Sequence, residues 1–295
     1  MEQTILVTGS SSGFGRLTVE TLARRGHTVF ATMRDSENRN AVSASQLHEF
    51  GESVPGTIIV LEMDVTNGGS VAAAVRELSD RADRLDAVVN NAGVFTGGVL
   101  EAYTEKQIHQ IFDVNVYGAH RVNRAVLPGM RRHGTGLLVH VSSVAARTPF
   151  PFSIPYAASK SALETLAEGY RYELASFGID SVIVQPGAYP TPIFEKKVTP
   201  ADTERLAGYA SLADLEQQVI GGLEAFVASD QAGNPQIVAD AIVGLIETPA
   251  GRRPLRTVVD QMGDGVRQIN EVGARVQREA LEGAGIQHLL DIPSG

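Results

Sequence analysis

Short apolar runs alternate with amphipathic segments along most of the chain. The apolar runs contain few polar positions, which is typical of strands in a parallel sheet that helices cover on both faces. The predicted strands are 4–8, 28–33, 57–63, 85–89, 137–141, 180–185 and 255–259. Because strands and helices alternate, the pattern predicts an α/β fold with an open, doubly wound parallel sheet, in a single domain that covers residues 1–295.

Two stretches depart from this alternation. Residues from about 188 to 234 interrupt the sheet pattern with an apolar stripe at helical spacing, which predicts an inserted helix. The stripe consists of Leu212, Leu215, Val219, Leu223 and Phe226. Residues 260–295 predict a further helix, which we expect to pack on the domain or on a partner subunit rather than to form a second domain. Its apolar positions are Val266, Ile269, Val276 and Leu281.

Composition narrows the classes of function. The chain has 295 residues, is 43% hydrophobic and carries a net charge of −9, which argues against nucleic acid or an anionic membrane as the main partner. The absence of cysteine excludes disulfides and thiolate chemistry, and no metal site is predicted. We find no apolar stretch of the roughly 18 residues that a membrane helix needs and no signal peptide, so a cytoplasmic protein is expected.

A glycine-rich turn directly follows the first predicted strand. Gly9, Gly13 and Gly15 lie in this turn, before an amphipathic segment. Glycine lets the backbone approach a ligand closely, and Ser11 or Ser12 is expected to cap the helix, whose N-terminus favours a pyrophosphate. An ordinary strand-to-helix turn is the alternative, but its place between the first strand and the first helix favours a dinucleotide site.

Tyr156 and Lys160 are four residues apart in a segment, 155–177, that is predicted to be helical. This spacing places the phenol and the ammonium on one helix face. We expect the ammonium to lower the phenol pKa from its reference value of about 10. A phenol tuned in this way can donate a proton to a forming alkoxide or accept one in the reverse reaction.

The two motifs together resemble the short-chain dehydrogenase/reductase family. The resemblance covers residues from about 4 to 259 and implies a Rossmann-type fold with reversible hydride transfer between a nicotinamide cofactor and a carbonyl or alcohol. It implies that Ser143 polarises the reacting oxygen, while Ser142 is expected to tolerate substitution by alanine. It also implies that Lys160 holds the nicotinamide ribose and that Asn115 bends its helix and holds a water behind this lysine.

The resemblance further implies a set of cofactor-binding residues around the ends of several strands. They are Gly9, Ser11, Ser12, Gly13, Phe14, Gly15, Asp64, Val65, Asn91, Ala92, Gly93, Tyr156, Lys160, Pro186, Gly187, Tyr189 and Thr191. Asp64 could also cap the helix that follows it. A turn after a strand would account for Pro186 and Gly187 without any ligand.

NADP(H) is the predicted cofactor, with NAD(H) as the alternative. An acidic residue at the end of the second strand binds the ribose 2′-hydroxyl of NAD, whereas an arginine accommodates a 2′-phosphate. Here Met33 takes the usual place of the acid and Arg34 follows it. The alternative is that Arg34 is a solvated loop charge paired with Asp35.

The predicted substrate is a lipophilic or aromatic carbonyl compound or alcohol, because apolar residues flank the catalytic segments. These residues are Phe95, Phe150, Phe152, Ile154, Tyr189, Ile193 and Phe194. They could equally be core or dimer contacts. In the family, the 188–234 insertion corresponds to a substrate lid, and relatives are often homodimers or homotetramers. A nucleotide-sensing regulator, an NAD-dependent alcohol dehydrogenase and an epimerase or dehydratase of the extended branch stay open as alternatives.

Overall fold

The computed structural model describes residues 2–292. Its centre is a seven-stranded parallel sheet in the order β3-β2-β1-β4-β5-β6-β7. The strands are β1 Thr4–Thr8, β2 Thr28–Met33, β3 Thr57–Glu62, β4 Ala87–Asn90, β5 Gly136–Val141, β6 Ile179–Pro186 and β7 Arg256–Val259. The predicted doubly wound α/β fold is therefore confirmed, with every strand close to its predicted range.

Helices cover both faces of this sheet. They are α1 Gly13–Arg24, α2 Ala41–Gly51, α3 Gly68–Arg81, α4 Glu105–Phe112, α5 Ala119–His133, α6 Ile154–Leu174, α7 Thr203–Ala207, α8 Ala213–Val227, α9 Gln236–Glu247 and α10 Asp264–Gly283. Within residues 2–292, none of the helices is both long enough and apolar enough to cross a bilayer.

Two apolar layers hold the helices to the sheet. In β1, Ile5 and Val7 face a layer that α1, α2 and α9 cover, whereas Leu6 faces the layer beneath α3 and α5. All three side chains are fully buried. Successive side chains of a strand point to opposite faces, so a strand covered on both sides needs apolar residues at consecutive positions. This requirement explains the unbroken apolar runs in the sequence.

The helix expected around Asn115 is interrupted. A π-helical segment, Asp113–Gly118, separates α4 from α5. It contains Asn115, whose amide pairs with both backbone groups of Val94: Oδ1 accepts from the Val94 N–H at 2.8 Å and Nδ2 donates to the Val94 carbonyl at 3.0 Å. Such π-bulges are frequent at functional sites. The expected irregularity around Asn115 is thus a widened turn tied to the loop after β4.

The two predicted helix caps differ from the observed ones. Ser12 occupies the N-cap position of α1, but its side chain makes no capping hydrogen bond. Asn67, not Asp64, caps α3 by accepting from the backbone N–H groups of Gly69 and Ser70. The Asp64 carboxylate instead accepts from the backbone N–H and the hydroxyl of Thr66, because it lies too early in the turn to reach the helix.

The 188–234 insertion forms α7 and α8, and the C-terminal segment forms α10. On α10, Val266 and Leu281 are buried against the domain, whereas Ile269 and Val276 are 40% and 55% exposed. The predicted apolar stripe therefore packs on the domain through only part of its length.

Candidate active site

A cleft of about 880 Å³ opens at the carboxyl ends of the strands. It lies beside β1, where the chain reverses its direction of travel across the sheet: β2 and β3 lie on one side of β1 and β4 on the other. Ligands bind at such a switch point in open α/β sheets. Most predicted site residues line this cleft, namely Gly9, Ser11, Ser12, Gly13, Phe14, Arg34, Asp64, Val65, Asn91, Ala92, Gly93, Ser143, Tyr156, Lys160, Pro186, Gly187, Tyr189 and Thr191.

Asn91 and Gly15 fix the position of the glycine turn after β1. Gly9 has a φ of +69°, and a Cβ there would lie 2.9 Å from the Cα of Ala92. A Cβ on Gly15 would lie 2.4 Å from both the Gly9 carbonyl oxygen and the Asn91 side-chain nitrogen. Asn91 Nδ2 donates to the carbonyls of Thr8 and Gly9 at 2.9 and 3.1 Å. Gly15 therefore lies under the turn rather than in the cleft wall, and its role is close packing.

The catalytic candidates come together from two neighbouring elements. Ser143 follows β5, and its Oγ accepts from the Ala145 N–H at 3.1 Å. Tyr156 and Lys160 lie on α6, in the same cleft. The Tyr156 backbone N–H donates to the hydroxyl of Thr96 at 3.1 Å, which fixes the first turn of α6 beside the loop after β4.

Lys160 is buried, and its Nζ donates to the Val141 carbonyl at 2.8 Å. Its Nζ also lies 5.7 Å from the centroid of the Tyr156 ring. Burial lowers the pKa of Lys160 to about 8, against the opposing charge of Glu164. The lysine thus sits behind the phenol and is anchored to the end of β5.

The prediction that Lys160 lowers the Tyr156 pKa is wrong for this structure. Burial raises the pKa of Tyr156 to about 12, and a hydrogen bond with Ser143 opposes the rise. Loss of hydration disfavours the phenolate more than Ser143 favours it. Tyr156 is therefore a protonated phenol at neutral pH.

Asn115 lies behind this group rather than in the cleft wall. It is 1% exposed, and its Nδ2 also donates to Ser159 Oγ at 2.9 Å, one residue before Lys160. The Ser159 hydroxyl donates in turn to the Tyr156 carbonyl at 2.7 Å. Asn115 thus joins the π-helical segment, the loop after β4 and the first turns of α6.

Two arginines that follow β2 line the cleft. Arg34 and Arg39 are both exposed, and within residues 2–292 neither forms a salt bridge. Asp35, the alternative partner of Arg34, instead accepts from the Asn38 amide at 3.1 Å. The cleft therefore offers two guanidinium groups to an anion at this position. The sequence analysis did not identify Arg39, although it lies only five residues after Arg34 in the chain.

The segment after β6 closes one side of the cleft. A Cβ on Gly187 would lie 2.5 Å from the Asp260 side chain, so the backbone passes close to the segment after β7. The Tyr189 hydroxyl donates to the Val259 carbonyl at 3.1 Å, and its ring packs edge-on against Phe14 at 5.9 Å. Tyr189 consequently presents its ring, rather than its hydroxyl, to the cleft.

Aromatic side chains surround the other end of the cleft. The Phe95 ring lies 5.0 Å from both the Tyr156 ring and the Phe194 ring, measured between centroids. The inserted helix α8 completes this wall with Val219, Ile220, Leu223 and Phe226. Of the seven predicted apolar residues, Phe95, Phe150, Tyr189, Ile193 and Phe194 line the cleft, whereas Phe152 and Ile154 do not. Phe152 has a positive φ of +60°, and Ser153, between these two residues, lines the cleft.

Comparisons with known proteins agree with this geometry. The family model described as short chain dehydrogenase matches residues 3–202. Human retinol dehydrogenase 8 is 35% identical over 86% of this chain and 80% of its own. A short-chain dehydrogenase structure from Streptomyces avermitilis has a TM-score of 0.75 at 30% identity and covers 96% of this chain and 97% of that one. A short-chain dehydrogenase from Sphingobium yanoikuyae in complex with NADPH has a TM-score of 0.70 at 26% identity, covering 94% and 95%.

Proposed function

Because this chain belongs to the short-chain dehydrogenase family and is therefore an oxidoreductase of alcohols and carbonyls, we propose that it uses NADP(H) to interconvert a lipophilic ketone or aldehyde and its alcohol. The observation that carries this proposal is the meeting of Ser143, Tyr156 and Lys160 in one cleft with the glycine turn.

The residues of the cleft fit a dinucleotide. Gly9 and Gly13 have positive φ values, and side chains at Gly9 or Gly15 would collide with the backbone around the turn. The backbone N–H groups at the start of α1 suit a pyrophosphate. When bound, the nicotinamide supplies or accepts the hydride.

The two arginines after β2 favour NADP(H) over NAD(H). Arg34 and Arg39 present positive charge where the adenosine ribose would lie, and Met33 offers no carboxylate to a 2′-hydroxyl.

Each catalytic residue has a distinct task in this proposal. Tyr156, protonated at neutral pH, donates its proton to the oxygen of the carbonyl as charge develops there. Ser143 donates a hydrogen bond to the same oxygen. Lys160 would hold the ribose hydroxyls, and Asn115 keeps α6 in place from behind. The protonated phenol is the acid that carbonyl reduction needs.

A lipophilic substrate follows from the aromatic end of the cleft. Phe95 and Phe194 pack on each other beside Tyr156, and α8 adds an aliphatic wall. Such a wall gains free energy by removing apolar substrate surface from water. Retinol dehydrogenase 8, a relative named for the lipophilic alcohol retinol, supports a lipophilic substrate. We interpret α8 as the substrate lid.

A panel of ketones, aldehydes and alcohols, followed by cofactor absorbance with NADPH and with NADH, tests the proposal. Turnover of lipophilic ketones with NADPH in preference to NADH is the expected result. The Tyr156→Phe variant should lose about 10³-fold in kcat, because it lacks the proton, while it still binds NADPH. A variant that reduces ketones at the parent's rate would overturn the mechanism.

The same panel separates the alternatives. Nucleotide binding without turnover of any compound would favour the nucleotide-sensing regulator, and equal use of NADH would favour an NAD-dependent alcohol dehydrogenase. A homodimer or homotetramer and a cytoplasmic location stay predictions, of which light scattering of the purified chain tests the first.

A further inference from the structure

A buried carboxylate lies one helical turn beyond Lys160 on α6. Glu164 is 2% exposed and accepts three side-chain hydrogen bonds. Its Oε1 accepts from Ser142 Oγ at 2.9 Å and from Gln185 Nε2 at 2.8 Å. Its Oε2 accepts from Arg256 Nε at 3.1 Å. The donors come from β6, β7 and the residue after β5, so one carboxylate ties α6 to three neighbouring strands.

The Glu164 carboxylate is buried among three hydrogen-bond donors. Burying a carboxylate costs free energy unless hydrogen bonds and an opposite charge compensate for it, and the three donors, one of them a guanidinium, do so. Glu168 lies one turn further along α6 and binds the same Arg256 guanidinium, but its side chain is 23% exposed. It contacts neither Ser142 nor Gln185.

Glu164 and Lys160 lie four residues apart on α6 and bind adjacent residues after β5, since Lys160 donates to the Val141 carbonyl and Glu164 accepts from Ser142. The other titratable groups around the lysine are Tyr156 on α6 and His140 on β5. Burial raises the pKa of Tyr156 to about 12 and lowers the pKa of His140 to about 3, so both are neutral at pH 7. Within residues 2–292, Glu164 is the carboxylate that opposes the desolvation of the lysine.

The network continues into the C-terminal helix. Asn270 on α10 is buried, and its Nδ2 donates to Gln185 Oε1 at 2.7 Å. Gln185 thus connects α10 to Glu164 through two consecutive side-chain hydrogen bonds. The segment after the last strand is thereby linked to the helix that carries the catalytic pair.

We propose that Glu164 is a positioning residue, which supplies the negative charge that keeps Lys160 an ammonium ion and holds α6 against the sheet. It acts through Lys160 and touches neither substrate nor cofactor. The proposal rests on the proposed function, because the charge of Lys160 matters to the reaction only if the lysine serves a bound nucleotide.

Direct titration of Lys160 tests this role without turnover. The chain has only four lysines, so ¹³C-lysine labelling of the full chain gives a simple NMR spectrum, in which Lys160→Ala identifies the signal. Glu164→Gln should lower the measured pKa of Lys160 by about one unit or more, because a nearby opposite charge is lost. Glu164→Asp should restore most of the shift. Glu168→Gln, the matched control on the same helix, should leave the pKa unchanged.

The pH profile of NADPH-dependent turnover extends the test to the reaction. In Glu164→Gln the alkaline limb of the profile should move to lower pH by a similar amount, because the lysine loses its charge earlier. A purely structural role would instead lower kcat by one factor at all pH values. An unchanged Lys160 pKa in Glu164→Gln overturns the proposal.

A double variant keeps the test available if the single one does not fold. Glu164→Gln with Arg256→Gln removes both members of the buried Glu164–Arg256 ion pair, so the Arg256 charge is not left unpaired, and a downward shift of the Lys160 pKa is still expected. Absence of turnover by the wild-type chain would overturn the proposed function, and with it the catalytic meaning of Glu164. An unaltered Lys160 pKa in an active variant would overturn the role of Glu164 alone.

Discussion

The two ends of the cleft are built in different ways. The nucleotide end, formed by the turn after β1 and by the residues after β2, β3 and β4, is shaped mainly by backbone. There Asn91 ties the carbonyls of Thr8 and Gly9, and Gly15 leaves room beneath the turn. The substrate end is shaped by side chains, since Phe95, Phe194 and α8 provide its wall.

This difference predicts how each end responds to change. Strand ends are held by the hydrogen bonds of the sheet, so a shape made from backbone is common to many sequences of one fold. A wall made from side chains on an insertion can change without disturbing the sheet. We therefore expect substitutions at the nucleotide end to affect every substrate alike, and those at the substrate end to discriminate among substrates.

After Tyr156→Phe, the largest effect is expected at Ser143, where the two ends of the cleft meet. Ser143→Ala should lower kcat by about 10²-fold, equivalent to about 3 kcal/mol, with every carbonyl substrate, because a donor to the developing oxyanion is lost. Steady-state kinetics at saturating NADPH measure this.

Ser142→Ala is a poorer control for this experiment than the sequence indicated, because the Ser142 hydroxyl donates to the buried Glu164. Ser161→Ala is better matched: that hydroxyl donates to the Ala146 carbonyl at 2.8 Å and lies outside the cleft. Equal losses in Ser143→Ala and Ser161→Ala would contradict the role of Ser143.

A second comparison concerns the backbone of the nucleotide end. Gly15→Ala should destabilise the fold by about 1–3 kcal/mol, because the added Cβ meets the Gly9 carbonyl and little can move. Gly169→Ala on α6, where a Cβ meets nothing within 4 Å, should instead stabilise the fold by about 0.5–1 kcal/mol. Urea unfolding measures both. Equal stabilities would show that the turn tolerates a side chain.

Substitution of the arginines after β2 should have a smaller effect, on the KM for NADPH. Arg34→Ala should raise the KM for NADPH about tenfold, about 1.4 kcal/mol, and leave the KM for NADH nearly unchanged, because only NADPH carries the 2′-phosphate. Arg39→Ala should act in the same direction with a smaller effect. Arg278→Ala, at an exposed position on α10, is the control. An unaltered KM for NADPH in Arg34→Ala would remove the basis for NADP(H) preference.

The smallest effect is expected at the aromatic wall. Phe194→Ala should raise the KM of a bulky aromatic ketone about fivefold, about 1 kcal/mol, because one aromatic contact is lost. The KM of a small aliphatic ketone should change less. Phe177→Ala, with a ring that is 46% exposed outside the cleft, provides the comparison. Equal changes for both ketones would show that Phe194 supports the fold rather than substrate choice.

The sequence predicted well wherever a short spacing decides the outcome. The apolar runs identified the seven strands, and the four-residue spacing of Tyr156 and Lys160 placed both on one helix. It predicted less where a side chain meets an element distant in sequence. The Asn67 cap, the place of Arg39 in the cleft and the exclusion of Phe152 from it depend on how loops turn.

By itself, then, the sequence determined the parallel sheet, the glycine turn and the residues that share the face of α6, because hydrophobic periodicity and helical spacing are local properties. Only the tertiary structure decided the protonation state of those residues. Desolvation raises the Tyr156 pKa, and Lys160 donates to the Val141 carbonyl, next to the serine that binds the buried Glu164. Desolvation depends on everything that packs around a group, which no spacing along the chain records.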